Sequence, residues 1–335
     1  MRLVVNEPGL FVGTRGGMIT VFKKREKVLE VSTPKIDLVI VLTRGASFSS
    51  ALIGLLLRHH IPLIFYSSYG APLAVCKGFT SGSIKLRKYQ YKAQDNQVGI
   101  ELAKAFATGK MLNQYSLLYS MAKNRTSSDP QLAKELYEKA REIKSECNKI
   151  SELEGETVNN IRASIMSIEA EAAQLYWESV TKALSKVITF PGRRKRFENP
   201  SDPVNIALNY LYTILAGECW MYIEISGLDP FSGFLHSDSP RRPALVMDLI
   251  EEFRQPVVDR VVFKAVFERK LDNAIEGNRL KRESRLMLYK LYAERLAKKV
   301  TFSNRSLPIQ DHILLQARRI GEHIMEREEY TPFIE

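Results

Sequence analysis

The chain opens with short apolar runs whose period is near two. RLVVN (residues 2–6), LFVGT (10–14), MITVFKK (18–24), KVLEVS (27–32) and DLVIVL (37–42) are rich in β-branched and aromatic residues. Turn signals divide them, among them Arg15-Gly16-Gly17 and the charged residues 23–27, so the pattern predicts strands. SSALIGLLLRHH (49–60) is the one helical interruption, with Ser49 or Ser50 as its N-cap. IPLIFYS (61–67) and APLAVCKG (71–78) return to strand. Gly and Ser then cluster in KGFTSGS, residues 77–83, where the period changes, and this marks a boundary.

Beyond that boundary apolar positions recur at helical spacing almost to the end. Helices are predicted over 86–107, 131–154, 159–187, 203–225, 244–253 and 284–299. Two irregular stretches rich in Pro and Gly interrupt them, at 189–203 and 226–243, and long loops inside a compact domain are often functional. No internal repeat or low-complexity tract is visible. The expected fold class is therefore α+β. A small N-terminal β-rich domain (1–78) is followed by a larger all-α C-terminal domain (79–335) that carries the chemistry.

Within SIMSIEAEAAQLYW (164–177) one carboxylate is out of place. Turned through ~100° per residue, Ile165, Met166, Ala173, Tyr176 and Val180 form one apolar stripe, with Glu171 and Glu178 on the opposite face. Glu169 falls inside the stripe. A carboxylate is almost never fully buried unless it is paired or bound to a metal, which singles out Glu169.

The second loop adds a histidine. Of the five in the chain, His59 and His60 sit between a helix and a strand, and His312 and His323 lie in the last helical segment. His236 alone lies in a Gly/Pro-rich loop, twelve residues before Asp248. On the helix that follows, Leu245, Val246, Leu249, Ile250 and Phe253 form the apolar face. Asp248, Glu251 and Glu252 gather on the other side, which reads as either a solvated acidic face or a cation site. Together, Glu169, His236 and Glu251 would surround a divalent ion, with Asp248 beside them. Two hard oxygens and one imidazole suit Mg²⁺ or Mn²⁺, and such an ion can polarise a phosphoryl oxygen.

Composition points the same way. Lys and Arg number 49 against 38 Asp and Glu, a formal charge of +11, which favours a polyanionic partner, nucleic acid first and an anionic membrane surface second. Arg193, Arg194, Lys195 and Arg196 in the first loop, and Arg241 and Arg242 after His236, are candidate phosphate contacts. Cys76, Cys147 and Cys219 are odd in number and lack CxxC spacing, which suggests a reducing compartment without disulfides or a cysteine zinc site. No signal-peptide-like apolar region stands at the start, and ALIGLLL (51–57) is too short to span a bilayer, so a cytoplasmic location is expected.

At these residues a family resemblance appears. EAEAAQLYW resembles the E-G-x-A-A-x-x-Y-W motif of the CRISPR-associated endonuclease/integrase of spacer acquisition, the Cas one family. NPSDPVNIALNYLYTIL resembles its P-x-D-P-x-N-x-x-L-N-x-x-Y segment. GLDPFSGFLH followed by DLIEEFRQP resembles its most distinctive block. LRKYQY, GKMLNQ, QARRI and the terminal YTPF are weaker echoes. Ala170 replaces the family's usual Gly, and Glu251 stands where the family has Asp or Glu.

The resemblance implies metal ligands at Glu169, His236 and Glu251, with Asp248 as a further catalytic acid. It also implies a homodimer, with the β-rich domain as the dimerisation unit, and a small adaptation partner (Cas two). The substrates implied are double-stranded and branched DNA, the cofactor Mg²⁺ or Mn²⁺. The activity implied is insertion of short foreign DNA into a CRISPR array by transesterification, an antiviral defence, together with metal-dependent DNA cleavage.

Three rival readings remain. The chain is read alternatively as a non-catalytic, basic DNA-binding architectural subunit, or as a Mn²⁺-dependent hydrolase of a small phosphate ester. Tyr176, near Glu169 at helical spacing, is an alternative covalent nucleophile.

Overall fold

The structure is a computed structural model that describes residues 2–67, 72–78 and 84–335. Residues 79–83 of the sequence-predicted boundary lie outside the described residues.

The strands form two four-stranded sheets. In the first, Glu26–Ser32 (β4), Met18–Lys23 (β3) and Leu10–Arg15 (β2) pair antiparallel, and the two-residue strand Ser47–Phe48 (β6) adds parallel to β2. In the second, Arg2–Val5 (β1), Leu38–Val41 (β5) and Leu63–Tyr66 (β7) are parallel, and Pro72–Cys76 (β8) closes the edge antiparallel. Helix Ser50–Arg58 (α1) crosses from β6 to β7, capped by Ser49, whose hydroxyl accepts the Leu52 N–H at 3.1 Å.

Every residue of β5 is buried, as a parallel strand covered on both faces requires. Val39 and Val41 face a core shared with the first sheet and α1. Leu38 and Ile40, with Ile64 and Tyr66 of β7, enter the helical core instead. The sheet thereby seats on helix Pro203–Ile225 (α6). The Tyr66 hydroxyl donates to the Ile214 carbonyl, and its ring lies where a Cβ on Gly217 would stand. Beside it, buried Glu218 accepts from Arg2 at 2.7 Å and from Tyr292 at 3.0 Å.

The helical part contains Ile84–Ala93 (α2), Gln97–Lys123 (α3), Pro130–Ser151 (α4) and Val158–Leu184 (α5) ahead of α6. Ala244–Glu251 (α7), Arg260–Phe267 (α8), Arg282–Ala297 (α9) and Ile309–Ile324 (α10) follow it. Where one helix over 86–107 was expected, the chain breaks between α2 and α3. Asn96 caps α3 by accepting the Val98 N–H at 3.0 Å, and Gly99 lets the Ala93 carbonyl pass within 2.1 Å of where a Cβ would sit. The π-helical segment Arg254–Asp259, which includes Pro256, joins α7 to α8. Two hairpins not expected from the sequence sit among the helices, Ile275–Glu276 (β9) with Arg279–Leu280 (β10), and Lys299–Phe302 (β11) with Arg305–Pro308 (β12). The chain then ends as an extended tail whose Tyr330 and Phe333 are buried in the core. Among the described residues no helix is long and apolar enough to cross a membrane.

Candidate active site

An open cleft of about 1550 Å³ runs between α5, α6 and α7, with the loop after α5 forming one wall. Glu169, His236 and Glu251 all line it. Its described lining carries seven basic side chains (Lys110, Lys182, Arg193, Lys195, Arg196, Arg242, Arg254) against three carboxylates (Glu169, Glu178, Glu251). That balance suits a polyanion.

Glu169 reaches the cleft from the edge of the α5 stripe. Ile165, Ala172, Tyr176 and Val180 are buried, whereas Met166 is exposed and lines the cleft with Glu169 and Ala173. The expected stripe thus joins two surfaces, a core seam and a cleft wall. Glu169 stands on the second.

The acids of α7 are not a solvated face. Asp248, Glu251 and Glu252 are all buried, because other elements pack around α7 and leave only its Met247–Ile250–Glu251 edge at the cleft. Nor do they meet, since each faces a different neighbour. Asp248 faces the loop after α6. Its Oδ2 accepts the N–H groups of Phe234 (2.6 Å) and Leu235 (3.1 Å), and its Oδ1 accepts the His236 N–H (2.8 Å) and ring Nδ1–H (2.7 Å). An ionised carboxylate can only accept, so Nδ1 carries the hydrogen of this contact, and Nε2 is the ring nitrogen that Asp248 leaves for a ligand. Asp248 therefore acts through His236.

The same loop is clamped from its other side. Arg162 of α5 donates to the Phe234 and Leu235 carbonyls, and Gln90 of α2 bonds both Asp229 and the Ser232 carbonyl. Gly233 has to be glycine, because a Cβ there would stand 2.9 Å from Asp248 Oδ2.

Glu251 and Glu169 are joined by a residue that the sequence reading passed over. Lys110 of α3 pairs with Glu169 Oε1 and lies 2.7 Å from Glu251 Oε2, while Arg254 Nε lies 2.9 Å from Glu251 Oε1. Burial pulls the Lys110 ammonium down, but Glu251 and Glu169 outweigh it and hold its pKa above the ordinary value. Burial pushes the Glu251 carboxyl up, yet Arg254, Lys110 and His236 hold it well below the usual range. Lys110 occupies the space between Glu169 and Glu251, and no group of three or more His, Cys, Asp or Glu among the described residues is arranged to hold a metal. The donor types nevertheless fit a hard divalent ion. Two carboxylates already attract one cation between them, and the imidazole beside them has its outer nitrogen secured as metal-ligating histidines do.

Other residues divide between cleft and framework. Glu252 accepts from Tyr330, Gln316 and the Phe333 N–H, which anchors the C-terminal tail; burial pushes its pKa up to about 7 against those bonds. Tyr176 is fully buried and donates to Asp259 at 2.7 Å, so it is part of the core and not a nucleophile facing the cleft. Arg193 is not a free phosphate contact. Its guanidinium lies over the rings of Trp177 and Tyr212 and donates to Asn205 and Asn209. Arg194, Lys195, Arg196, Arg241 and Arg242 are exposed, and of these Lys195, Arg196 and Arg242 line the cleft.

This arrangement can be set beside known proteins. The family profile described as "CRISPR associated protein Cas1" matches residues 3–294. A CRISPR-associated endonuclease Cas1 of Archaeoglobus fulgidus is 33% identical over 100% of this chain and 99% of its own. The chain belongs to the Cas1 family. A further Cas1 endonuclease, from Pyrobaculum aerophilum, is 36% identical over 86% of this chain and 88% of its own. Among solved structures, a casposase bound to integration product superposes with a TM-score of 0.77 at 22% identity, covering 99% of this chain and 92% of that one. A Cas1 protein from Thermotoga maritima superposes at 0.71 with 18% identity, covering 99% of both chains. Those likenesses show that the α+β architecture described above is the Cas1 fold.

Proposed function

We propose that this Cas1-family protein is a divalent-metal-dependent DNA endonuclease and integrase. It inserts short fragments of foreign DNA into a CRISPR array by transesterification, as a homodimer working with the small Cas2 adaptation protein. The observation that carries this reading is the convergence of Glu169, Glu251 and an Asp248-oriented His236 on one basic cleft.

Glu169, Glu251 and His236 would hold Mg²⁺ or Mn²⁺, which supplies polarisation of a phosphoryl oxygen and activation of the attacking hydroxyl. The chain's own part is to keep that seat ordered and to hold the DNA. Asp248 fixes the His236 ring, and the clamped loop keeps both in place before substrate arrives. Lys195 and Arg242, which line the same cleft, would hold phosphates without reading sequence. In strand transfer one phosphodiester bond forms to an incoming 3′-hydroxyl as another breaks to the departing 3′-oxygen. The hydroxyl proton is lost and the leaving oxygen gains one.

One observation favours a second reading. Lys110 and Arg254 already neutralise Glu169 and Glu251, as they would in a non-catalytic architectural subunit. Fluorescent branched DNA incubated with the native protein and with Glu169→Ala, each in Mn²⁺, Mg²⁺ and EDTA, separates the two. The enzyme reading expects cleavage or joining by the native protein with metal only and none by the variant, with equal DNA binding. Tight binding by both and metal-dependent products from neither would leave the architectural reading standing.

A further inference from the structure

The loop between α5 and α6 displays an aromatic ring that the chemistry above does not use. Phe197 is 78% exposed, the highest value among the exposed large hydrophobic side chains of the described residues, and it lines the same cleft as Glu169 and Glu251. Ile84 and Leu73, which come next at 74% and 63%, do not line it.

The ring stands on a braced loop. Arg193 is held between aromatic rings and two asparagines. Asn205 accepts the Arg194 N–H at 2.8 Å and donates to the Gly192 carbonyl at 2.8 Å and to Asp202 at 2.9 Å. Glu198 accepts the Lys195 N–H at 2.5 Å, which closes a single 3₁₀ turn at Arg196–Glu198, and Asn199 ends it in the left-handed region with φ 48°. An exposed aromatic on a hydrogen-bonded loop among cationic neighbours has few rotatable bonds to freeze on binding and offers a flat apolar face beside phosphate-binding charge.

From this geometry we infer that Phe197 stacks on an unpaired base of the DNA lying in the cleft. The inference rests on the DNA reading above and deepens it. Inside a duplex both faces of each base are covered and a blunt end bares only the outer face of a closed pair, so the ring finds an unpaired base at a branch, an overhang or a frayed end. Phe197 thus favours such DNA over blunt duplex, independently of the metal seat.

The test is equilibrium binding in EDTA of two DNAs of equal length, one blunt and one with 3′ single-stranded overhangs carrying 2-aminopurine. Native protein, Phe197→Ala and Phe197→Trp are compared. Phe197→Ala is expected to bind the overhang DNA roughly tenfold more weakly with unchanged affinity for blunt duplex, and to lose the quenching of 2-aminopurine. Phe197→Trp restores both. Equal losses on both DNAs, or no loss on either, would overturn the inference. Because no metal is present, the outcome is separate from catalysis. A stacking effect in a protein that never cuts or joins DNA would sink the enzyme reading alone, and intact overhang binding by Phe197→Ala in an active enzyme would sink this one alone.

Discussion

Replacing Lys110 with methionine tests the electrostatics of the site. The side chain stays unbranched, one atom shorter, and loses its charge. Lys110, Glu169 and Glu251 are 14%, 15% and 4% exposed, so the two carboxylates are left largely out of water. Breaking a fully buried pair costs about 3–5 kcal/mol. Glu251 still keeps Arg254 at 2.9 Å, and Glu169 can rehydrate from the cleft, so a smaller cost of about 1–3 kcal/mol is expected here. At roughly 2–4 °C per kcal/mol for a large domain, the melting temperature in EDTA falls by about 2–12 °C.

Divalent metal should then act in the opposite direction. In the native protein an ion bound at the proposed seat would compete with the Lys110 ammonium for Glu169 Oε1 and Glu251 Oε2. In Lys110→Met that competitor is gone, so Mn²⁺ binds more tightly and stabilises by the mass-action increment of its lower Kd. Thermal melts over a Mn²⁺ titration read both effects. A Mn²⁺-induced rise no larger in Lys110→Met than in the native protein would refute the competition. An unchanged melting temperature in EDTA would refute the ion-pair argument itself.

Further outcomes follow from neighbouring residues. Asp248→Asn places an amide NH₂ either against the Phe234 and Leu235 N–H groups or against His236, where it turns the ring so that Nε2 carries the proton. Denaturant melts should show a loss of about 2–4 kcal/mol, and metal affinity or activity should fall roughly 10–100-fold; a variant native in both would contradict the role given to Asp248. Glu252, pushed from 4.5 up to about 7, contributes stability that is fully present below pH 4.5 and lost as pH rises through 7, roughly 3 kcal/mol in all. Against Glu252→Gln, whose stability lacks this term, the native protein should lose ground between pH 4.5 and about 7, and a pH-independent difference would show that burial does not raise the Glu252 pKa.

Some of this was legible in the sequence for identifiable reasons. Helix α6 was read to the residue because Asp202 caps it, accepting the Asn205 N–H, and Pro203 opens it. Glu169 was found because a charge at an apolar phase is conspicuous whether the surface behind it is core or cleft. The acidic helix was misread because spacing shows which residues share a side but not that neighbours such as Glu251 and Glu252 diverge by ~100°. Periodicity also cannot say that the polar side of a helix is covered by other elements.

Lys110 was missed as a site residue although it lies in the quoted GKMLNQ segment. A lysine on a long helix looks like surface, and its partners lie 59 and 141 positions away. The weaker echoes LRKYQY, QARRI and YTPF turned out to hold the framework, through Gln90 on the His236 loop and through Gln316 and Tyr330 on Glu252. Net charge likewise gave no sign that Arg193 is spent on Trp177, Tyr212 and two asparagines.

The most direct measurement is anomalous diffraction from crystals grown at Mn²⁺ concentrations that support strand cleavage. A manganese peak is expected in contact with Glu169, Glu251 and His236 Nε2, with the Lys110 ammonium displaced from between the carboxylates. No peak at that seat, with Lys110 still bridging Glu169 and Glu251 in crystals of active protein, would contradict it.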